Sequence, residues 1–143
     1  MGARSEVTAE RAVVRVSAPD EAQVVAMFAA LDDAAARHGG RLAGLVNNAG
    51  VVDRPQRVDE MSGERLRRMF AINVLGSLYC AREAVRRMST KHGGAGGGIV
   101  NLSSAAARLG AAGQYVDYAA AKGAIDSFTL GLGREVAAEG IRV

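Results

Sequence analysis

Apolar positions recur along this chain in two rhythms, one of about 3.6 residues and one of two, and they alternate. Val24, Met27, Phe28 and Leu31 share one helical face, and the pattern runs to about Arg37 before Gly39-Gly40 ends it. Upstream, Ser17-Ala-Pro-Asp20 is a helix-start signature with Ser17 placed to cap and Pro19 in the first turn, and Ala12–Val16 is a short strand candidate. Residues 1–11 are polar and aperiodic and read as a disordered lead-in. Leu45–Gly50 predicts a second strand running into a turn, and residues 53–60 a polar loop around Pro55. From Ser62 to Met88 the helical rhythm returns through Leu66, Met69, Phe70, Val74, Leu78, Val85 and Met88. Asn73 interrupts it, and a poor helix former in mid-helix calls for a kink or a task. Gly93–Gly98 reads as a flexible connection, since it precedes a strand and lacks the spacing of a phosphate loop. The strand from Gly98 ends in two hydroxyls, Ser103 and Ser104; a helix from Val116 to Ala138 follows, with Ile125, Phe128, Leu132 and Val136 on one face, and Ile141–Val143 begins another strand. Such alternation predicts an α/β fold built on a doubly wound parallel sheet.

Composition narrows this little. A chain of 143 residues is a single domain, and a content rich in alanine and glycine with 4% aromatics suits close helix–sheet packing. The 18 basic residues alternate with 15 acidic ones and form no block, which argues against a nucleic-acid partner; the arginines at 65, 67, 68, 82, 86 and 87 read as helix surface. One cysteine, Cys80, excludes an internal disulfide and reads as a packed small hydrophobe. His38 and His92 have no neighbouring third ligand, so no metal site is expected. With no long apolar run, no membrane span or signal peptide is expected, and the cytoplasm is the expected compartment.

The candidate chemistry lies at the end of the third apolar strand. Tyr118 and Lys122 are four residues apart and share a helix face, and the carboxyl ends of strands in an open α/β sheet are where ligands bind. A phenol beside an ammonium suits proton transfer to or from an alcohol, and a serine hydroxyl can hold a carbonyl oxygen in place. Of the two serines, Ser104 is the better candidate, because strand alternation sends Ser103 to the opposite face. Tyr115 reads as a loop or substrate-side aromatic.

Asn47-Asn-Ala-Gly50, Asn73-Val-Leu-Gly76, Ile99–Ser104 and Tyr118-x-x-x-Lys122, in this order and at these spacings, resemble the short-chain dehydrogenase/reductase family. Tyr115–Ala124 is further similar to a bacterial subgroup labelled sugar or glucose dehydrogenases. The resemblance implies an incomplete Rossmann-like sheet with helices on both faces. It implies an NAD- or NADP-dependent oxidoreductase acting on an alcohol or ketone, sugar-like in that subgroup. Tyr118 takes the place of the general acid/base, Lys122 of its partner and ribose ligand, Ser104 of the substrate-positioning serine and Asn73 of the residue that anchors a relay water. Asn47, Asn48, Ala49 and Gly50 match the segment that runs past the adenosine ribose, with Tyr118 and Lys122 also facing the cofactor. The helices at 63–88 and 116–138 correspond to the family's subunit contact, implying a dimer or tetramer.

The resemblance covers nearly all of this chain but the middle of the family's fold. The first strand with its glycine-rich pyrophosphate turn, the strand that chooses between NAD and NADP, and the substrate lid find no counterpart in these residues. Ser17 stands where the family carries an aspartate near the adenine. The bare sheet edge so created is expected to expose apolar side chains and to lower stability or promote self-association. Three readings therefore stand side by side: an active oxidoreductase, a catalytically inactive fragment, and an interaction protein that joins full-length relatives through its long helices.

Overall fold

The computed structural model describes residues 20–143. The Ala12–Val16 strand, the lead-in and the Ser17 and Pro19 positions lie outside the described residues. Helix α1 (Glu21–Arg37) begins at an Asp20 cap, whose carboxylate accepts the Ala22 N–H at 2.9 Å; Glu21 in the first turn and Arg37 in the last complement the helix dipole. The stripe predicted for it holds: Val24 and Phe28 are buried, with Met27 and Leu31 packed beside them.

Strands β1 (Gly44–Asn47), β2 (Gly97–Asn101) and β3 (Ile141–Arg142) form a parallel sheet in the order β1-β2-β3. Leu45 lies opposite Ile99 and Asn47 opposite Asn101, while Gly97 and Gly98 pair with Ile141 and Arg142. This is the expected α/β, Rossmann-like arrangement, with β1 and β2 ending earlier than the apolar runs suggest. Both serines consequently lie beyond the strand.

One apolar cluster holds the layers together. It joins Val24 and Phe28 of α1 to Ala81, Ala84 and Met88 of α3 (Gly76–Met88), to Val136 of α5 (Val116–Val136), and to Ile99 and Ile141 of the sheet. Ile99 is 2% exposed, whereas Val100, the next residue, is 54% exposed and lies opposite Val46, itself 63% exposed. Helices are expected on both faces, but the described residues supply the helical layer on one, because α1, α3 and α5 all pack on the Ile99 side, and they leave Val46 and Val100 exposed on the other.

The long second helical run is α2 (Gly63–Phe70), a π turn over Ala71–Leu75, and α3. Ser62 caps its start by accepting the Arg65 N–H at 3.1 Å. The π turn, closed by the Gly76 N–H on the Ala71 carbonyl, inserts one residue into the ladder and turns the following face. Its fully or nearly buried face therefore runs Met69, Asn73, Ser77, Ala81, Ala84, Met88. Phe70, expected inside, is 39% exposed, because the buried face passes through its neighbour Met69 and then Asn73.

The glycine run before β2 is a packed turn rather than a flexible connection. Gly96 has φ +76°, and a Cβ there would run into the Gly140 carbonyl oxygen; one on Gly97 would stand 2.6 Å from both the Ala43 carbonyl oxygen and the Met88 sulfur. At Gly96 and Gly97 the chain passes too close to its neighbours for any side chain.

Candidate active site

The carboxyl ends of β1 and β2 are tied together by amides. Asn47 Nδ2 donates to Asn101 Oδ1 at 2.8 Å and to the Ser77 carbonyl at 3.2 Å; Asn101 Nδ2 donates to Thr129 Oγ1 at 3.0 Å, which donates in turn to the Ile125 carbonyl at 2.8 Å. This chain of bonds crosses from α3 through both strands to α5. Asn47 is nearly buried here, with a sheet-bracing part, while Asn48, Ala49 and Gly50 emerge exposed from the end of β1.

Asn73, 1% exposed, uses its amide to hold the chain that follows. Oδ1 accepts the Val51 N–H at 2.9 Å, and Nδ2 donates to the Val51 carbonyl at 2.9 Å and to the Met69 carbonyl at 3.1 Å. A buried amide so used satisfies two backbone groups of a loop that no strand partner covers. Gly50 makes this approach feasible, since a Cβ there would stand 2.8 Å from Asn73 Oδ1 and 3.7 Å from Lys122 Nζ. The asparagine that broke the helical pattern thus has a task as well as a helical irregularity around it.

Lys122, on the second turn of α5, is 6% exposed, and its ammonium donates to the Leu102 carbonyl at 2.6 Å. Burial pulls its pKa below the usual lysine value, a pull that the nearby Asp126 carboxylate opposes. The same nitrogen lies 5.8 Å from the centre of the Tyr118 ring. Tyr118 is half-buried one turn earlier, and its ring meets that of Tyr115 edge-on with centroids 6.0 Å apart.

The two serines part company. Ser104 Oγ accepts the Ala106 N–H at 3.2 Å at the start of the short helix α4 (Ala106–Leu109), which leaves its hydroxyl proton available as a donor. Ser103 Oγ instead donates to the Lys122 carbonyl at 3.4 Å. Loop geometry beyond Asn101, rather than strand alternation, separates them.

Ser104, Tyr115 and Tyr118 open onto one cleft of about 510 Å³, walled further by Val52, Ala106, Leu109 and Gln114. The fold brings together Tyr118, Lys122 and Ser104 from two elements, with Gly50 and Asn73 behind Lys122. Asn47 stays at the sheet.

Sequence reasoning missed a buried pair beside this cleft. Arg65, read as helix surface, has a side chain 9% exposed and forms a two-pronged ion pair with Asp117, whose side chain is fully buried. Burial alone would raise the Asp117 carboxyl, but Arg65 and the backbone N–H groups of Tyr118 and Asp117 outweigh it and hold the group below the usual carboxylate range. The two residues are 52 positions apart, and no local pattern flags either. Cys80 is half-buried as expected, and burial, helped by Glu83, pushes its thiol up. Among the described residues no group of three His, Cys, Asp or Glu side chains could hold a metal ion, and no helix is long and apolar enough to cross a membrane.

Comparisons with known proteins place this geometry. The chain is 54% identical over 131 residues to an uncharacterized oxidoreductase, YgfF, of Escherichia coli (strain K12), covering 92% of this chain and 51% of that protein. It is 39% identical to the cis-4-hydroxycyclohexanecarboxylate dehydrogenase of Sinomonas cyclohexanicum over 91% of this chain and 49% of that one. A solved structure described as ElxO with NADP bound matches with a TM-score of 0.74 and 30% identity, over 87% of this chain and 47% of the other. The chain thus spans about half the length of these relatives. Residues 3–143 match the short chain dehydrogenase family. The ordered series Asn47–Gly50, Asn73, Ser104 and Tyr118-x-x-x-Lys122, set on a parallel sheet at these places, and a match over nearly every residue have one account: this chain belongs to the short-chain dehydrogenase family.

Proposed function

We propose that this chain carries the proton-transfer half of a nicotinamide-dependent oxidoreductase that interconverts an alcohol and a ketone. The observation that carries this reading is the shared cleft: Ser104 and Tyr118 line it from different elements, and the Lys122 ammonium lies against the tyrosine ring. In the reducing direction the Tyr118 phenol donates a proton to the carbonyl oxygen while the Ser104 hydroxyl donates a hydrogen bond to the same atom. In the oxidising direction the phenolate takes the alcohol proton. Lys122 supplies the positive charge beside the phenol. Asn73 fixes Val51, and with it the wall that continues to Val52; Asn73 Oδ1 keeps one lone pair for the relay water that the family resemblance assigns to it.

The residues present fit the ribose-nicotinamide half of an NAD or NADP cofactor. Among the described residues the Lys122 ammonium donates only to the Leu102 carbonyl, so it has protons left for ribose hydroxyls, and the missing Cβ of Gly50 leaves the approach to it open. The exposed Asn48, Ala49 and Gly50 would line that approach. When bound, the nicotinamide supplies or accepts the hydride. No glycine-rich pyrophosphate turn occurs among the described residues, so the fit covers the ribose–nicotinamide half.

A thermal melt followed by far-ultraviolet circular dichroism, with and without millimolar NADH or NADPH, tests it. An upward shift with one nucleotide, together with turnover that Tyr118→Phe abolishes, is the expected result. A cooperative melt indifferent to both nucleotides would instead leave the catalytic side chains in place without a cofactor to work with.

A further inference from the structure

We infer that Arg65 and Asp117 act as a positioning latch for the Tyr118 cleft, an assignment that rests on the reading of Tyr118 as the acid/base. The guanidinium is used on three sides. Nε donates to Asp117 Oδ2 at 2.8 Å and Nη2 to Asp117 Oδ1 at 3.2 Å, gripping the first turn of α5 one residue before Tyr118. Nη1 donates to the Arg54 carbonyl at 2.7 Å and to Gln56 Oε1 at 3.1 Å, gripping the loop that leaves β1 and carries Val52. That loop is bound to the connection before α5 by the Gln56 N–H on the Gln114 carbonyl at 2.7 Å.

Val52, Gln114, Tyr115 and Tyr118 are all cleft walls. One arginine therefore sets the spacing between the two sides of the cleft and the pose of the phenol, without itself lining the cleft. An arginine fork suits this task because its planar donors fix direction as well as distance; a lysine would keep the charge and lose the geometry. The pair is also the costly kind to leave half-made, since a buried carboxylate without its partner is strongly unfavourable. The latch is formed by Arg65 of α2, Asp117 of α5 and the Arg54–Gln56 stretch of the loop after β1, with no ligand needed to complete it.

The test is solution NMR on the full chain with labelled tyrosine. Its three tyrosines, Tyr79, Tyr115 and Tyr118, are assigned by single phenylalanine substitutions. Two variants are compared with wild type: Arg65→Lys, and the double variant Arg65→Met with Asp117→Leu, which removes both charges and leaves none unpaired. The latch predicts cooperative melts with the Tyr115–Tyr118 ring cross-peaks weakened at least twofold, and Tyr79 unmoved. In turnover, kcat falls about tenfold or more, a loss typical of a displaced reacting group, with a smaller change in KM. Unchanged ring cross-peaks in a folded variant would overturn it, and Arg65→Lys alone decides the question if the double variant does not fold. If Tyr118→Phe keeps full turnover, the acid/base reading fails instead, and the ring cross-peaks still report on the latch.

Discussion

Two buried regions of this protein exclude water by opposite means. Between α1, α3 and the sheet, Val24, Phe28, Ala84, Met88, Ile99 and Ile141 form an apolar cluster whose cohesion is non-directional. Around the first turns of α5 and the π turn, the buried polar side chains are Asn47, Asn73, Ser77, Asp117 and Lys122, set among small apolar ones such as Ala119 and Ala121. There, Asn47, Asn73, Asp117 and Lys122 are each held by hydrogen bonds of definite direction, and no buried side-chain nitrogen or oxygen among the described residues lacks a partner. Apolar packing tolerates substitution of similar volume. A polar network loses a backbone group's partner with each deletion, so it fixes position more strictly than it adds stability. The comparison teaches that one region mainly keeps the chain folded and the other mainly keeps a few atoms in place.

Substitutions should separate the two roles. The largest effect is expected from Tyr118→Phe, which should cut turnover by about 10²- to 10⁴-fold while the melting curve stays where it was. Phe28→Ala, at the centre of the apolar cluster, should do the reverse. It should lower unfolding free energy by about 3–5 kcal/mol in urea titration and leave the kcat of the folded fraction intact. Equal losses of stability in both variants would erase the distinction.

Asn73→Ala sits between these extremes. It strips partners from the Val51 N–H and carbonyl, at about 1–3 kcal/mol for a group left buried, and lets the loop behind Val52 drift, so stability and turnover should fall together. Acid should reach both regions. Burial works to raise the Glu83 carboxyl, but hydrogen bonds from Arg87 and Arg82 and the charge of Arg86 hold it low, as Arg65 holds Asp117. For carboxyls held below their unfolded values, the unfolded chain takes up more protons, so the stabilisation is complete above about pH 5 and is lost as pH falls through the folded values. Urea midpoints should therefore be flat from neutrality to about pH 5 and decline below it, and Glu83→Gln should flatten the decline.

A small stability change is expected for Lys122→Met. Its folded pKa lies below its unfolded one, so charging it in place costs stability, which recovers as pH rises through the folded value toward the unfolded one. Removing the charge also removes the bond to Leu102, and the two effects oppose each other. A melting shift of a few degrees at most, with turnover lost, is the expected outcome in calorimetry and assay.

Much of this was legible because it is local. The α1 stripe, the parallel alternation and the Tyr118–Lys122 pair depend on spacing along one element, and spacing is written in the chain. The inner face of α3 was not legible, because a π turn shifts the register and the buried positions are Ser77, Ala81 and Ala84, which no hydropathy pattern marks. Arg65 looked like its exposed neighbours Arg67 and Arg68, and only the approach of α5, 52 residues on, takes it out of water.

The sequence by itself determined most of the elements, the family motifs and which side chains are candidates for proton chemistry, since those follow from covalent spacing and side-chain type. The tertiary structure alone decided that Asn73 fastens Val51, that the glycine run is a tight turn, and that Arg65 meets Asp117. Each of these rests on distance between segments far apart in the chain, and distance in space is set by how the layers pack.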